Sequence, residues 1–120
     1  MGKPAIRQKL ADVAVDIESL KLLAYETAWK MSRGMPTSYE PARDYAYTDM
    51  IHERLSMLGT EILGVHSQVH PLNKRSKWTK LRGAVEHLYW MFPGYALGGG
   101  TTDTLRNIVG QFGLGLPKSY

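Results

Sequence analysis

Between Gly98 and Asn107 the chain reads Gly-Gly-Gly-Thr-Thr-Asp-Thr-Leu-Arg-Asn, three glycines running into two threonines and a carboxylate. Without a Cβ, glycine lets backbone come close to a ligand, and a helix that starts on Thr or Asp presents unpaired N–H groups to an anion. The chemistry served by such a spacing is the seating of a phosphate or an oxyanion. Thr101 or Thr102 would cap the helix, and Asp103 in its first turn would complement the helix dipole. A triple glycine alone is equally the mark of a plain flexible loop.

Other candidates are weaker. Lys74, Arg75, Lys77, Lys80 and Arg82 crowd one stretch of a chain whose net charge is +4. That patch suits nucleic acid, a membrane surface or cofactor phosphates, and equally a solvated face. His66 and His70 are four apart, and Asp49 and His52 three apart, spacings that put two ligands on one helix face. A metal needs three or four converging ligands, so these pairs read as ordinary surface and helix residues. Tyr25, Trp29, Tyr45 and Tyr47 stand at helical spacings and read as core. The chain has no cysteine, which excludes disulfides, thiolate nucleophiles and cysteine metal sites. No apolar run approaches the ~20 residues that cross a bilayer, and Met1-Gly2-Lys3-Pro4 lacks the apolar region of a signal peptide. A soluble, intracellular protein is expected: cytoplasmic, or in the mitochondrial matrix of a eukaryote.

The elements that must position these residues are helices. At 120 residues there is room for one domain with a single modest core. Apolar or small residues at Ile6, Leu10, Val13, Ile17, Leu20, Ala24, Thr27 and Met31 make one stripe on a long helix from Pro4 to Arg33, stopped by Gly34 and Pro36. Thr37 to Glu40 has the spacing of a capping box, predicting a second long helix with Thr37 as cap, an apolar face at Tyr47, Ile51, Leu55, Leu58 and Ile62, and an end at Gly64 and Pro71. From Val65 to Lys77 the sequence is polar, basic and aperiodic, as in a surface connection. A third helix is expected from about Trp78 to Phe92, stopped by Pro93-Gly94, with Tyr89, Trp90, Met91 and Phe92 too apolar for a free surface. A short helix then runs from a cap at Thr101 or Thr102 to an end near Gly110 to Gly113. No strand pattern and no internal repeat stand out.

The run from Gly99 to Gly110, Gly-Gly-Thr-Thr-Asp-Thr-Leu-Arg-Asn-Ile-Val-Gly, resembles the closing signature of acyl-CoA dehydrogenases. Arg7 to Asp12, Ala24 to Trp29 and the tail Gly113-Leu-Gly-Leu-Pro117 are similar to that family too. The resemblance implies an all-α fold, an antiparallel up-and-down bundle of the family's C-terminal type. It further implies that residues 1–120 are part of a three-domain, oligomeric enzyme, here without its N-terminal helical domain, its middle β domain and the first long helix of the bundle.

In that family an acyl-CoA thioester loses its α-proton to a carboxylate while the β-hydride passes to FAD, giving a trans-2-enoyl-CoA. The resemblance assigns FAD contacts to Thr101, Thr102 and Asp103, places Gly100 against the substrate, and makes Glu61, Ile62, Leu63, Gly64 and Val65 the segment that reaches the FAD of a neighbouring subunit. Glu61 and Val65 depart from the family pattern, a Gln followed by paired glycines. Gly99 occupies the position where many relatives carry the catalytic glutamate, so no catalytic base falls within this chain, and the chain alone is expected to be inactive. The implied partners are the acyl-CoA substrate and further subunits, identical or different. Two other readings use the same residues: a helical assembly module without turnover, and a basic nucleic-acid-binding domain using Lys74 to Arg82.

Overall fold

The structure is a computed structural model that describes residues 4–70, 72 and 76–118. Helix α1 spans Pro4–Ser32 and α2 spans Glu40–Leu63. At ~1.5 Å per residue α1 is about 43 Å long, most of the 51 Å length of the molecule. It packs antiparallel on α2, and the register is written in polar pairs as much as in apolar ones. Lys9 meets Glu61 at 2.6 Å, Asp16 meets Tyr47 and Arg54 at 2.8 and 2.5 Å, Glu26 meets Arg43 at 2.9 Å, and Lys30 meets Glu40 at 2.8 Å. As the α1 number rises, its partner's falls. Thr27 donates both to Leu23 O and to Asp44 Oδ2 from a buried position.

The buried face keeps only part of the expected stripe. Val13 and Thr27 are buried, whereas Leu10, Ile17 and Met31 are largely exposed. Tyr25 and Trp29, read from spacing as core, are 62% and 53% exposed. Helical spacing makes apolar residues neighbours, but the seam goes to the side where long polar side chains find partners.

The start of α2 also differs from expectation. Tyr39, not Thr37, precedes the helix, and no side chain caps it. Proline supplies the reason. A helix capped by Thr37 would need the N–H of residue 41 for its first hydrogen bond, and Pro41 has none. The first bond is therefore Arg43 N to Tyr39 O at 2.9 Å. Glu40 does reach back, accepting from Tyr39 N at 3.2 Å.

Helix α2 is the hub, packing on α1, on α3 (Ala84–Gly98) and on α4 (Thr102–Ile108). Small residues set the close approaches. Ala42 and Ala46 are buried against Leu105, with Tyr45, Ile108 and Val109 around them. A Cβ on Gly59 would stand 2.8 Å from Val85 Cγ1, so the α2–α3 crossing admits only glycine there. After α2 come short 3-10 turns at Gly64–Gln68 and Lys80–Gly83, and α4 ends in a wide π turn at Val109–Gly113.

Two boundaries of the third helix move. Leu81, Arg82 and Gly83 all take positive φ, 48°, 57° and 76°, so right-handed helix cannot begin until Ala84 instead of Trp78. Pro93 does not stop α3, which continues through it to Gly98. Pro93 and Tyr89 both lie on the exposed side, where water can meet the Tyr89 carbonyl that Pro93 leaves without an N–H donor. Tyr89, Trp90 and Met91 are likewise exposed and not buried, and only Phe92 of that quartet is half-covered. Pro71, Lys74 and Arg75 lie outside the described residues. No strand occurs among the described residues, and none of their helices is long and apolar enough to cross a membrane.

Candidate functional site

The glycine loop is held from below by one phenol. Tyr45, on α2, donates its hydroxyl to Tyr95 O at 2.7 Å and lays its ring against Gly99. A Cβ built on Gly99 would sit 2.7 Å from Tyr45 Cζ and 3.0 Å from its Oη. That is far inside van der Waals contact, with an anchored aromatic ring on the other side. Residue 99 therefore lacks a side chain and also lacks the space for one. Gly100 has φ +107°, a conformation open to glycine, and its N–H reaches Leu97 O only at 3.5 Å.

Of the two caps the sequence allows, Thr101 and Thr102, the helix uses Thr101. Its φ and ψ are −62° and 153°, and its hydroxyl accepts from Thr104 N at 3.3 Å while standing 3.0 Å from Thr104 Oγ1. Leu105 N then closes the first helical bond on Thr101 O at 2.9 Å. The N–H groups of Thr102 and Asp103, ahead of that bond, have no intrahelical acceptor. The Asp103 carboxylate points into solvent, with Arg106 at 3.8 Å. Loop and cap thus leave two backbone donors without an intrahelical acceptor beside Gly100, whose own N–H is held only at 3.5 Å by Leu97 O.

The second predicted segment lies elsewhere. Glu61, Ile62 and Leu63 form the last turn of α2, Gly64 turns the chain with φ 55°, and Val65 is exposed. Ala46, under α4, is fifteen residues earlier on the same helix, about 22 Å at ~1.5 Å per residue. The two segments occupy opposite ends of α2. Glu61 turns its carboxylate to Lys9, which neutralises the charge that sets it apart from the family pattern.

Sequence reasoning missed Tyr45 as the plug beneath Gly99, because nothing in a linear pattern connects positions so far apart. It also passed over a buried charge. Asp49, one turn beyond Tyr45, is 3% exposed, and among the described residues its Oδ2 has no hydrogen-bond partner; neither has Nδ1 of His52 one turn on. Burial pushes the Asp49 carboxyl above its ordinary value, with His52 acting weakly the other way. The predicted Asp49–His52 pair is real as geometry, with the His52 ring 5.7 Å from Tyr95. No third ligand joins it, and no group of three metal-binding side chains gathers among the described residues. His66 instead stacks on Trp78 at 5.3 Å, and Nδ1 of His70 accepts from Leu72 N. In the basic patch Lys77 sits 4.8 Å over the Trp78 ring, while Lys80 and Arg82 face solvent.

Residues 1–114 match the family model described as acyl-CoA dehydrogenase, C-terminal domain. The chain is 31% identical over 118 residues to acyl-CoA dehydrogenase FadE26 of Mycobacterium tuberculosis, a match covering 95% of this chain and 28% of that protein. Among solved structures, the Tcur3481-Tcur3483 steroid ACAD superposes with a TM-score of 0.85 at 27% identity, over 98% of this chain and 30% of that one. The ChsE4-ChsE5 complex from Mycobacterium tuberculosis does so at 0.80 and 28% identity, over 95% of this chain and 29% of that one. The chain thus spans less than a third of the length of each of these relatives.

Proposed function

Since the chain belongs to the acyl-CoA dehydrogenase family, we propose that it works as the C-terminal domain of an FAD-dependent enzyme that α,β-dehydrogenates acyl-CoA thioesters, contributing cofactor contacts and subunit packing but no proton acceptor. The observation that carries this reading is the Gly99 to Asp103 loop. The free N–H groups of Thr102 and Asp103 and the bare backbone of Gly100 fit the acceptor atoms of FAD, and Thr101 holds them in place by capping α4. In the assembled enzyme the cofactor supplies the hydride acceptor. Gly100 offers its weakly engaged N–H to the thioester oxygen, where enolate-like charge develops and preorganised donors count most. Tyr45 keeps water and side chains out from beneath Gly99. The proton acceptor then comes from another part of the assembled enzyme.

The α2 end at Glu61, Ile62, Leu63, Gly64 and Val65 lies about 22 Å along the helix from Ala46, which packs beneath α4, too far to frame the same small site, and so favours contact with the FAD of a neighbouring subunit. Val65 crowds that approach. Neutralisation of Glu61 by Lys9 lowers the repulsion a pyrophosphate would meet.

The test is flavin content and anaerobic flavin reduction of the full polypeptide with its partner subunits, offered a straight-chain and a steroid acyl-CoA, the latter because a structural relative is described as a steroid ACAD. Wild type should purify with flavin and be bleached by one of these substrates, and Gly100→Val with Thr102→Pro should lower flavin retention. Unchanged retention would remove these residues from the cofactor site. A second reading has its own observation. Because Tyr45 closes position 99 to any carboxylate, the chain can serve as an assembly subunit without turnover. A protein that assembles with its partner but never retains flavin would establish that reading instead.

A further inference from the structure

A cleft of about 600 Å³ opens between the end of α2, the 3-10 turn after it and the first half of α3, on the opposite end of α2 from the glycine loop. Its floor holds a buried acid. Glu86 is 8% exposed, and no donor among the described residues reaches its carboxylate. A carboxylate on the floor of a cleft with no counter-ion of its own favours a cation as the cleft's occupant.

The other walls narrow the chemistry. Thr60 donates its hydroxyl proton to Met57 O at 2.7 Å, and Ser67 donates its own to Gly64 O at 2.7 Å. Towards the cleft both oxygens have only lone pairs left. Met57 adds a thioether, and Tyr89 and Trp90 add aromatic faces, which attract cations. The Gln68 amide, the Tyr89 hydroxyl and the Trp90 indole N–H are the lining side-chain groups with protons to give, and no basic side chain among the described residues lines the cleft. One carboxylate, two hydroxyl acceptors and aromatic faces, with no basic group beside them, suit a cation that is all donor.

We propose that the Glu86 cleft is a recognition site for a guanidinium group. The planar cation stacks on an aromatic face, and Trp90, 73% exposed, presents one. Its five N–H groups satisfy Glu86 two at a time and still reach the Thr60 and Ser67 oxygens, which an ammonium with three donors does less completely. The group comes either from an arginine of a neighbouring polypeptide or from a free guanidino compound. This inference stands apart from the flavin reading, since it uses neither the glycine loop nor the cofactor.

The test titrates the full polypeptide with butylguanidinium, butylammonium and the neutral butylurea, followed by calorimetry, and measures sedimentation in parallel. Two variants accompany wild type. Glu86→Gln is isosteric, and Trp90→Leu changes an exposed residue that the fold does not need; circular dichroism checks both. In the dissociated protein butylguanidinium should bind at least tenfold more tightly than butylurea and more tightly than butylammonium, and each variant should weaken it, Glu86→Gln by tenfold or more. If a free compound is the occupant, the assembled protein binds the probe and its sedimentation is unchanged. If a neighbour's arginine is the occupant, the assembled protein excludes the probe, Glu86→Gln shifts sedimentation towards smaller species, and millimolar butylguanidinium does the same to wild type. Equal binding of butylurea, equal binding of butylammonium, or wild-type binding and assembly in Glu86→Gln would each overturn the proposal.

Discussion

Residues 99 and 49 show how much a single neighbour decides. The Gly99 backbone has φ −111°, ordinary for any residue, so the demand for glycine there comes from the Tyr45 ring alone. Gly99→Ala should cost about 1–3 kcal/mol as an overpacked contact, measured by urea denaturation, and most of that cost should vanish in a Tyr45→Leu background. A full penalty in both backgrounds would place the strain elsewhere. Asp49 makes the opposite case, a charge that burial opposes. Because its folded pKa lies above the ordinary 3.8, the native state favours the protonated acid, so its penalty is absent below pH 3.8 and grows as pH rises through the folded value. Asp49→Asn should raise the melting temperature at pH 7 and lose that advantage on acidification below pH 3.8. A pH-independent difference would show that packing, not charge, separates the two. The glycine and threonine chemistry of the loop was readable from sequence because capping acts over a few residues. The Tyr45 plug was not, because it joins α2 to a loop more than fifty residues on.

The α1–α2 seam shows why helices were readable as elements and their buried faces only in part. Period and length place both helices correctly, with α1 ending one residue from expectation and α2 ending at Leu63 before Gly64. Apolar spacing named Val13 and Thr27 of the face that α1 buries, but not the rotation of that face away from Leu10, Ile17 and Met31. It is chosen by Lys9, Asp16, Glu26, Thr27 and Lys30, each of which finds a polar partner on α2. Glu40 is the pivotal member. Lys30 above all, then the backbone N–H groups at the helix start, hold its carboxyl down at about 2, and the same pair pushes the Lys30 amine up. A depressed carboxyl stabilises the fold above its unfolded value of 4.5 and loses that contribution as pH falls through about 2. Glu40→Gln should therefore be less stable than wild type at neutral pH, and the two melting temperatures should converge between pH 4.5 and 2. Parallel curves across that window would remove Glu40 from the acid response.

At the scale of the molecule, α1 is apolar on both sides and covered on one. Opposite Val13 and Thr27, the residues Val15, Leu22 and Trp29 follow at intervals of seven with Tyr25 among them, and all four are more than half exposed. Sevenfold spacing is the pattern of a helix seam, and a patch of this kind on a soluble protein marks a contact surface or an aggregation hazard. Trp90 and Leu97 of α3 are exposed as well, so the chain presents apolar surface from two of its helices. Structural relatives of this chain are described as two-component assemblies. The consequence is measurable. Leu22→Glu with Trp29→Glu should leave the helical circular dichroism intact, because neither side chain supports the α1–α2 seam, yet shift sedimentation of the full polypeptide towards smaller species. If assembly is a prerequisite of cofactor retention, flavin content should fall in parallel. Loss of flavin with assembly intact would instead point to a local role for this face, whereas intact assembly and intact flavin would show that the outer face of α1 is left bare in the working protein.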